Sequence, residues 1–132
     1  MKKILALALM AFVATACASS LQRGKDEGPL SRYDGYIGEP IRGFTFMRTD
    51  SWTPVDRDQL IIWTGINDAW LIKIAGSCPD LQFTNSVRVT STVSEITKFD
   101  SVLVGRDRCP ITEIRPIDIR RWKADRKEAA AQ

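Results

Sequence analysis

The segment "QLIIWTGINDAWLIKI", residues 59–74, contains two apolar runs that flank a four-residue stretch, Gly65 to Asp68. Both runs are rich in β-branched and aromatic residues and are too short for typical helices, which favours strands. Glycine, asparagine and aspartate between them are typical turn residues. The segment therefore predicts a β-hairpin in which Trp70, Ile72 and Ile74 share one face. Because both strands are apolar on both faces, we expect them at the centre of a sheet.

Further strands are predicted on both sides of this hairpin. The segments "GFTFMR" (43–48) and "SVRVTSTV" (86–93) alternate apolar and polar residues at the period of a strand. The segments "EITKFDSVLVG" (95–105) and "CPITEIRPI" (109–117) supply the remaining strands, whereas the proline and polar residues of "SWTPVDRDQ" (51–59) indicate a turn. The sequence thus predicts a mainly β fold, a small antiparallel barrel or sandwich of about six strands.

The last segment has a helical composition. Asp118 is a suitable N-cap for "IRRWKADRKEAAA" (119–131), which is rich in alanine, lysine and glutamate. Only Ile119 and Trp122 form an apolar patch, so we expect the helix to pack about one turn on the sheet. Its basic residues favour contact with anionic lipid or a partner, or an ordinary solvated helix face diluted by three carboxylates; they are Arg120, Arg121, Lys123, Arg126 and Lys127.

The N-terminus has the three parts of an export signal over residues 1–16. Lys2 and Lys3 precede an apolar run, residues 4–13, and small residues follow it. The run is shorter than the roughly 20 residues that a membrane-spanning helix needs. Residues 17–35 are rich in serine, glycine and charge, which is typical of a flexible tether, and the folded domain is expected over residues 36–132.

Cys17 stands directly after "ATA" (14–16), and two interpretations remain open. Ordinary signal peptidase can cleave after small residues such as Ala14 and Ala16. Residues 14–17, Ala-Thr-Ala-Cys, also resemble the bacterial lipobox, in which the cysteine receives a diacylglycerol and becomes the first mature residue. That resemblance implies a periplasmic protein anchored to a membrane by lipid. Ala18, where aspartate would imply retention in the inner membrane, favours the outer membrane.

The two remaining cysteines, Cys78 and Cys109, are expected to form a disulfide. Exported chains occupy an oxidising compartment, where a pair of cysteines is normally bridged. A metal site is the competing interpretation, but the sequence has no histidine and no Cys-x-x-Cys pair, so the usual zinc frameworks are missing. We therefore predict a bridge, no metal and no cofactor.

Charge and composition exclude some functions. Without Lys2 and Lys3, 17 basic residues face 16 acidic ones, so the net charge is about +1 and indicates no nucleic-acid partner. The absence of histidine removes the commonest general base and the Ser-His and Cys-His nucleophile pairs. Catalysis is disfavoured on these grounds.

Several residues remain as candidates for a site. Asp56 and Asp58 suggest a carboxylate pair or calcium ligands, but a solvated turn is favoured, because calcium sites need six to eight oxygens and this loop has no EF-hand-like run. A polar site beside the bridge would require six charged residues to meet, and a solvated rim is the alternative; these are Asp100, Arg106, Asp107, Arg108, Glu113 and Arg115.

Among the four tryptophans, Trp63 and Trp70 are predicted to pack in the core, whereas Trp52 is a candidate for a ligand groove. The possible ligand or partner surface is therefore assigned to Trp52, Arg106 and Arg108.

The motifs "CPDLQF", "FDSVLV" and "DRCPITEIRPID" resemble a family of small proteobacterial lipoproteins classified only as a domain of unknown function. The resemblance covers roughly residues 40–122, and the paired "CPDL" and "RCPI" cysteines carry most of it. It implies an exported or membrane-attached protein and transfers no catalytic residue. The leading hypothesis is a lipid-anchored binding or interaction module that contacts another envelope protein or a small ligand. The alternatives are a small periplasmic hydrolase that uses a carboxylate pair and a passive structural lipoprotein.

Overall fold

The computed structural model describes residues 28–76 and 78–132. The predicted export signal and Cys17 lie outside these residues. The strands, in chain order, are β1 (Gly43–Thr45), β2 (Ser51–Asp56), β3 (Gln59–Trp63), β4 (Asp68–Ile74), β5 (Val87–Val89), β6 (Glu95–Thr97), β7 (Ser101–Val104) and β8 (Asp107–Asp118). One α-helix, α1 (Ile119–Ala130), follows β8 directly, and short 3₁₀ turns occupy Ser31–Tyr33 and Pro79–Gln82.

The central hairpin forms as predicted. β3 and β4 are antiparallel, with Ile61 opposite Leu71 and Ile62 opposite Trp70, and residues 64–67 connect them. β4 pairs on its other side with the twelve-residue strand β8, so it lies inside the sheet. Strands that are apolar on both faces must be covered on both faces, which explains why this hairpin occupies the middle.

Six strands form one antiparallel sheet in the order β2-β3-β4-β8-β7-β5, and β1 pairs with β6 in a separate two-stranded sheet. The large sheet is curled into an open half-barrel. Residues from its two edge strands, Trp52 of β2 and Val87 and Val89 of β5, pack against the same core cluster. The predicted mainly β fold with a C-terminal helix is confirmed.

The two faces of the sheet bury separate apolar clusters. The inner cluster lies inside the curl and is covered by the β1–β6 pair, which contributes Phe44 and Ile96. The outer cluster contains Ile61, Leu71 and Ile117 from the sheet. Side chains from β3 and β4 alternate between the two clusters, as the two-residue period of a strand requires.

The outer cluster is completed by both ends of the described chain. Tyr33 is 5% exposed, and its ring centroid lies 5.1 Å from that of Trp122 on α1. Leu30 also packs against this cluster. Leu30 and Tyr33, which precede the predicted domain of residues 36–132, therefore pack on the outer face of the sheet together with α1.

Two local predictions were wrong. Residues 51–56, predicted as part of a turn, form the edge strand β2, where Pro54 is tolerated because it lies beside a register shift between Pro54 and Asp56. The strand predicted over 86–93 ends at Val89, and Val93 occupies a tight turn instead.

Candidate functional site

An open groove of about 1000 Å³ lies at the end of the molecule that carries the β3–β4 turn. It is bounded by the segment after β1, by the β3–β4 turn and by the turn that precedes β6. Its lining residues are Thr45, Phe46, Met47, Arg48, Asp50, Thr64, Gly65, Ile66, Asp68, Trp70, Val93 and Ser94.

The floor of the groove is aromatic and rigid. The ring of Trp70 stacks on the buried ring of Phe44, with centroids 4.2 Å apart and planes 6° from parallel. The indole Nε1–H of Trp70 donates a hydrogen bond of 3.0 Å to the Thr64 hydroxyl, which fixes the ring's orientation. Trp70 was predicted to be a core residue, and it does pack against the inner cluster, but it is only half-buried and its other side lines the groove.

Three large aliphatic side chains stand around the groove and are almost fully exposed. Met47 is 99% exposed, Val93 is 91% exposed and Ile66 is 80% exposed. Each belongs to a different turn or bend, and we call them together the apolar rim. Single exposed apolar residues are ordinary on protein surfaces, but three that line one groove concentrate exposed apolar surface there, which favours an interaction site.

The turn that carries Val93 is strained. Val93 and its neighbour Ser94 have φ angles of 57° and 60°, and Thr92 and Glu95 form a bridge on either side of them. Positive φ at both central residues is typical of type I′ turns, which favour Asn-Gly. A β-branched residue in the left-handed region is a genuine outlier, and such strain concentrates at functional sites.

Three charged residues border the groove. The Arg48 guanidinium pairs with the Asp50 carboxylate at 2.8 Å, although the Arg48 side chain is 82% exposed. Asp68 begins β4 on the opposite wall, where its carbonyl accepts a hydrogen bond of 3.0 Å from Thr64 N–H. The groove therefore presents an aromatic floor, an aliphatic rim and a small number of charges.

Trp52, predicted to belong to a ligand surface, lines a second and smaller cavity. This cavity has a volume of about 260 Å³ and lies between the edge strands β2 and β5, beside Ile62, Val87 and Val89. Arg106 and Arg108 do not line it. Arg106 is exposed in the turn between β7 and β8, and Arg108 Nε donates a hydrogen bond of 3.3 Å to the Ser101 hydroxyl.

The structure does not bring the predicted cluster of acids and arginines together. The Asp100 carboxylate accepts hydrogen bonds from Thr97 N–H at 2.8 Å and from the Thr90 hydroxyl at 3.2 Å, so it holds a turn. Asp107 and Glu113 lie on the same strand six residues apart, which corresponds to about 20 Å. Within the described residues, no three His, Cys, Asp or Glu side chains are grouped closely enough to hold a metal ion.

The remaining predicted carboxylates and their neighbours have local roles. Asp56 accepts a hydrogen bond of 2.7 Å from Arg57 N–H and shapes the β2–β3 turn, and the carbonyl of Asp58 accepts one of 2.9 Å from Ile74 N–H. Glu113 pairs with Arg115 at 2.5 Å, and the hydrogen bond to Glu113 raises the pKa of Arg115. These groups serve turns and strand faces and leave no converging acid pair among them.

The basic helix α1 is partly engaged with the rest of the molecule. Asp118 caps it by accepting a hydrogen bond of 3.0 Å from Arg121 N–H, as predicted. The Tyr36 hydroxyl donates to Asp125 at 2.9 Å, and this hydrogen bond is the main cause that raises the pKa of Tyr36. Lys123 Nζ donates to the Ile66 carbonyl at 2.7 Å, so the helix contacts the β3–β4 turn beside the apolar rim.

The predicted disulfide is confirmed between Cys78 and Cys109, with a Cα–Cα distance of 6.3 Å. Both cysteines are buried in the inner cluster. The bridge links the segment after β4 to the start of β8, on the core side of the sheet and not in the groove.

The residues of the apolar rim were missed by sequence reasoning. Ile66 lies in the middle of a Gly-x-Asn-Asp turn. Because side chains in such turns are rarely buried, its position in the sequence indicates an exposed apolar side chain. Val93 gave no signal because it continues the alternating pattern of a predicted strand, and Met47 gave none because it was included in the strand predicted over 43–48.

Comparisons with known proteins give one result. The chain belongs to a family of unknown function, DUF6491, whose model matches residues 1–132. No curated protein and no solved structure matches the chain. In the part of the chain that the structure describes, no helix is both long and apolar enough to cross a bilayer.

Proposed function

We propose that this member of a family without an assigned function is an exported, lipid-anchored envelope protein that acts by binding. Its anchor would be a diacylglycerol on Cys17, and its binding surface would be the groove with the apolar rim. The resemblance of residues 14–17 to the lipobox supports the anchor. The buried disulfide supports export, because such bridges persist in oxidising compartments.

The apolar rim is the observation that carries the binding function. Exposed aliphatic side chains contribute no free energy to folding, and polar residues in their place would lower the tendency of an isolated domain to aggregate. Here three of them surround a preformed aromatic floor, and one is held on a strained turn. Exposed aliphatic side chains and a strained turn are both unfavourable for the isolated domain. Contact with another molecule is the best explanation for their presence at one surface.

A hydrolase with a carboxylate pair is the second candidate, and one observation favours it. Asp50 and Asp68 both line the groove. Acid–base catalysis usually needs a site that excludes water and shifts the pKa values of two acids apart. The groove is open and Asp50 is already paired with Arg48, so binding is the better assignment.

Photo-crosslinking in intact cells tests the binding surface. A benzoylphenylalanine in place of Met47 or Ile66 should form covalent adducts with a neighbouring molecule. The controls are Phe83 and Phe99, which are 83% and 82% exposed but lie outside the groove. Adducts of either lipid or protein at the rim, with none at the controls, support the function. Equal yields at all four positions would remove the groove from the proposal.

Mass spectrometry tests the anchor separately. The protein extracted from membranes should carry diacylglycerol on Cys17, and Cys17→Ser should release it into the soluble fraction. Detection of a free Cys17 thiol in the membrane-extracted protein would contradict lipid anchoring and leave the binding surface unaffected.

A further inference from the structure

The charge of the described domain is separated in space. Helix α1 carries five lysines and arginines against two carboxylates, whereas residues 28–118 carry ten basic and twelve acidic side chains. The helix is therefore net positive, about +3, on a body that is slightly negative. Such an arrangement attracts an anionic surface to one side of the molecule.

Three of the helix cations form a stripe. At 100° per residue, Arg120, Lys123 and Lys127 fall within about 60° of one another around the helix axis. All three are exposed. We call them the basic stripe.

The basic stripe lies next to the apolar rim. Lys123 Nζ donates to the Ile66 carbonyl at 2.7 Å and to the Asn67 side-chain oxygen at 2.9 Å. Arg120 shares a small surface depression with Asp68 and Trp70, which also line the groove. Arg48 also lines the groove, but its ion pair with Asp50 leaves no net charge there, so the basic stripe supplies the net positive charge beside the rim.

The rim has the form expected for insertion into a fluid layer. Met47, Ile66 and Val93 project singly from three separate turns and are 80% exposed or more. A protein partner would need a shaped pocket for each protruding side chain, whereas lipid chains adapt to any of them. Aliphatic tips with adjacent cations are the combination that binds the boundary between lipid headgroups and acyl chains.

We propose that this end of the molecule docks on the surface of an anionic phospholipid membrane. The apolar rim would enter the headgroup region and the basic stripe would contact lipid phosphates. Of the two carboxylates on the groove, Asp50 is neutralised by Arg48 and Asp68 is outnumbered by the stripe. This assignment rests on the proposed function, because it names the partner of the same groove.

The proposed anchor would make the docking favourable. Eleven residue steps separate Cys17 from Gly28, the first described residue, and they can span at most about 40 Å. A lipid on Cys17 would therefore keep the groove close to the bilayer at high effective concentration. Weak contacts from a few cations and aliphatic side chains are then sufficient to hold the groove against the bilayer.

Crosslinking of the purified full-length protein to vesicles tests the docking. The protein with benzoylphenylalanine at Ile66 is combined with vesicles of phosphatidylcholine alone or with one quarter phosphatidylglycerol. Mass spectrometry should show phospholipid adducts at Ile66, with a yield several-fold higher on the anionic vesicles. The same probe at Phe83 or Phe99 should give few adducts on either.

The charge variants complete the test. Arg120→Gln with Lys127→Gln should lower the adduct yield on anionic vesicles several-fold, since each cation near such a surface favours partition by roughly five-fold. Arg57→Gln with Arg88→Gln removes two exposed arginines that lie outside the groove and the basic stripe, and it should change nothing. Equal yields on both vesicles, or no effect of the first pair, overturn the membrane assignment. A protein adduct at the rim in cells, with no lipid adduct, also overturns it but keeps the proposed function; no adduct of any kind overturns both.

Discussion

At the scale of single residues, the groove combines one side chain in an unfavourable conformation with one that is held by favourable contacts. Val93 combines a β-branched side chain, a φ of 57° and 91% exposure, three properties that separately disfavour its position. Trp70 is the opposite case, because stacking on Phe44 and a hydrogen bond to Thr64 hold it in one orientation. The site therefore combines a stable floor with a strained edge.

Replacing the strained pair should stabilise the protein and weaken its binding. Val93→Asn with Ser94→Gly supplies the residues that a type I′ turn prefers, and it should raise the free energy of unfolding by about 1–2 kcal/mol. Denaturant unfolding measures this gain, and Ser91→Asn, in the same loop without a positive φ, is the control. The double variant should also give fewer lipid adducts at Ile66, since one rim side chain is lost. A loss of stability would show that the turn is not strained.

At the scale of elements, the two faces of the large sheet are covered by different parts of the chain. The β1–β6 pair closes the inner face, and its Phe44 forms the lower layer of the groove floor. Helix α1 and the segment around Tyr33 close the outer face together. The strands β1 and β6 and the segment around Tyr33 are short, so the position of each depends on one or two close contacts.

Gly43 provides the close contact between β1 and β6. A Cβ at this position would lie 2.5 Å from the Ile96 carbonyl oxygen, which is backbone and cannot move aside. Gly43→Ala should therefore destabilise the protein by about 1–3 kcal/mol and reduce crosslinking at Ile66. Gly28→Ala, with no atom within 4 Å of the added Cβ, is the matched control. Equal stability of the two variants would contradict the close pairing of β1 and β6.

Trp122 attaches helix α1 to the segment around Tyr33, one turn after the buried Ile119. Its ring packs beside Tyr33, and its Nε1–H donates to the Arg32 carbonyl at 2.8 Å. Trp122→Ala should lower the free energy of unfolding by about 2 kcal/mol, because the ring is half-buried. Deletion of residues 128–132, beyond the contacts of Asp125 and Arg126, should cost much less in the same urea titration. The reverse order would place the packed part of the helix at its end.

At the scale of the whole molecule, the fold is an open half-barrel with its bridge inside and its groove at one end. The bridge joins residues separated by 31 positions and encloses β5, β6 and β7 within its loop. The inner cluster holds both sulfur atoms, so the bridge acts through the core and not through the site. The bridge does not line the groove, although both contact the inner cluster.

Removing the bridge should therefore affect stability alone. Cys78→Ala with Cys109→Ala should lower the free energy of unfolding by about 3.7 kcal/mol, the chain-entropy value for a loop of this size. Thermal unfolding should show a lower Tm, and Cys17→Ser serves as a control that leaves it unchanged. At temperatures where the variant is still folded, its crosslinking at Ile66 should persist. An unchanged Tm would mean that the core holds the sheet unaided.

The sequence alone determined the features that depend on short-range pattern. The hairpin over 59–74, the cap at Asp118 and the mainly β class follow from residue periodicity and turn chemistry, which act over a few residues. The bridge between Cys78 and Cys109 was predicted from the number of cysteines and from the expected export of the chain. The packing of Leu30 and Tyr33 on the outer face was not predicted, since no local signal in the sequence indicates it.

Only the tertiary structure decided where the site lies. Met47, Ile66 and Val93 are separated by 19 and 27 positions in the sequence, and they meet because the β1–β6 pair crosses the inner face beside the β3–β4 turn. The same fold left Asp107 and Glu113 apart along the extended strand β8, whereas Asp100 and Arg106 lie in the turns before and after β7. Alternation along a strand predicts which side chains share a face. It does not predict which turns come together at one end of the sheet, because that depends on long-range packing of the two clusters.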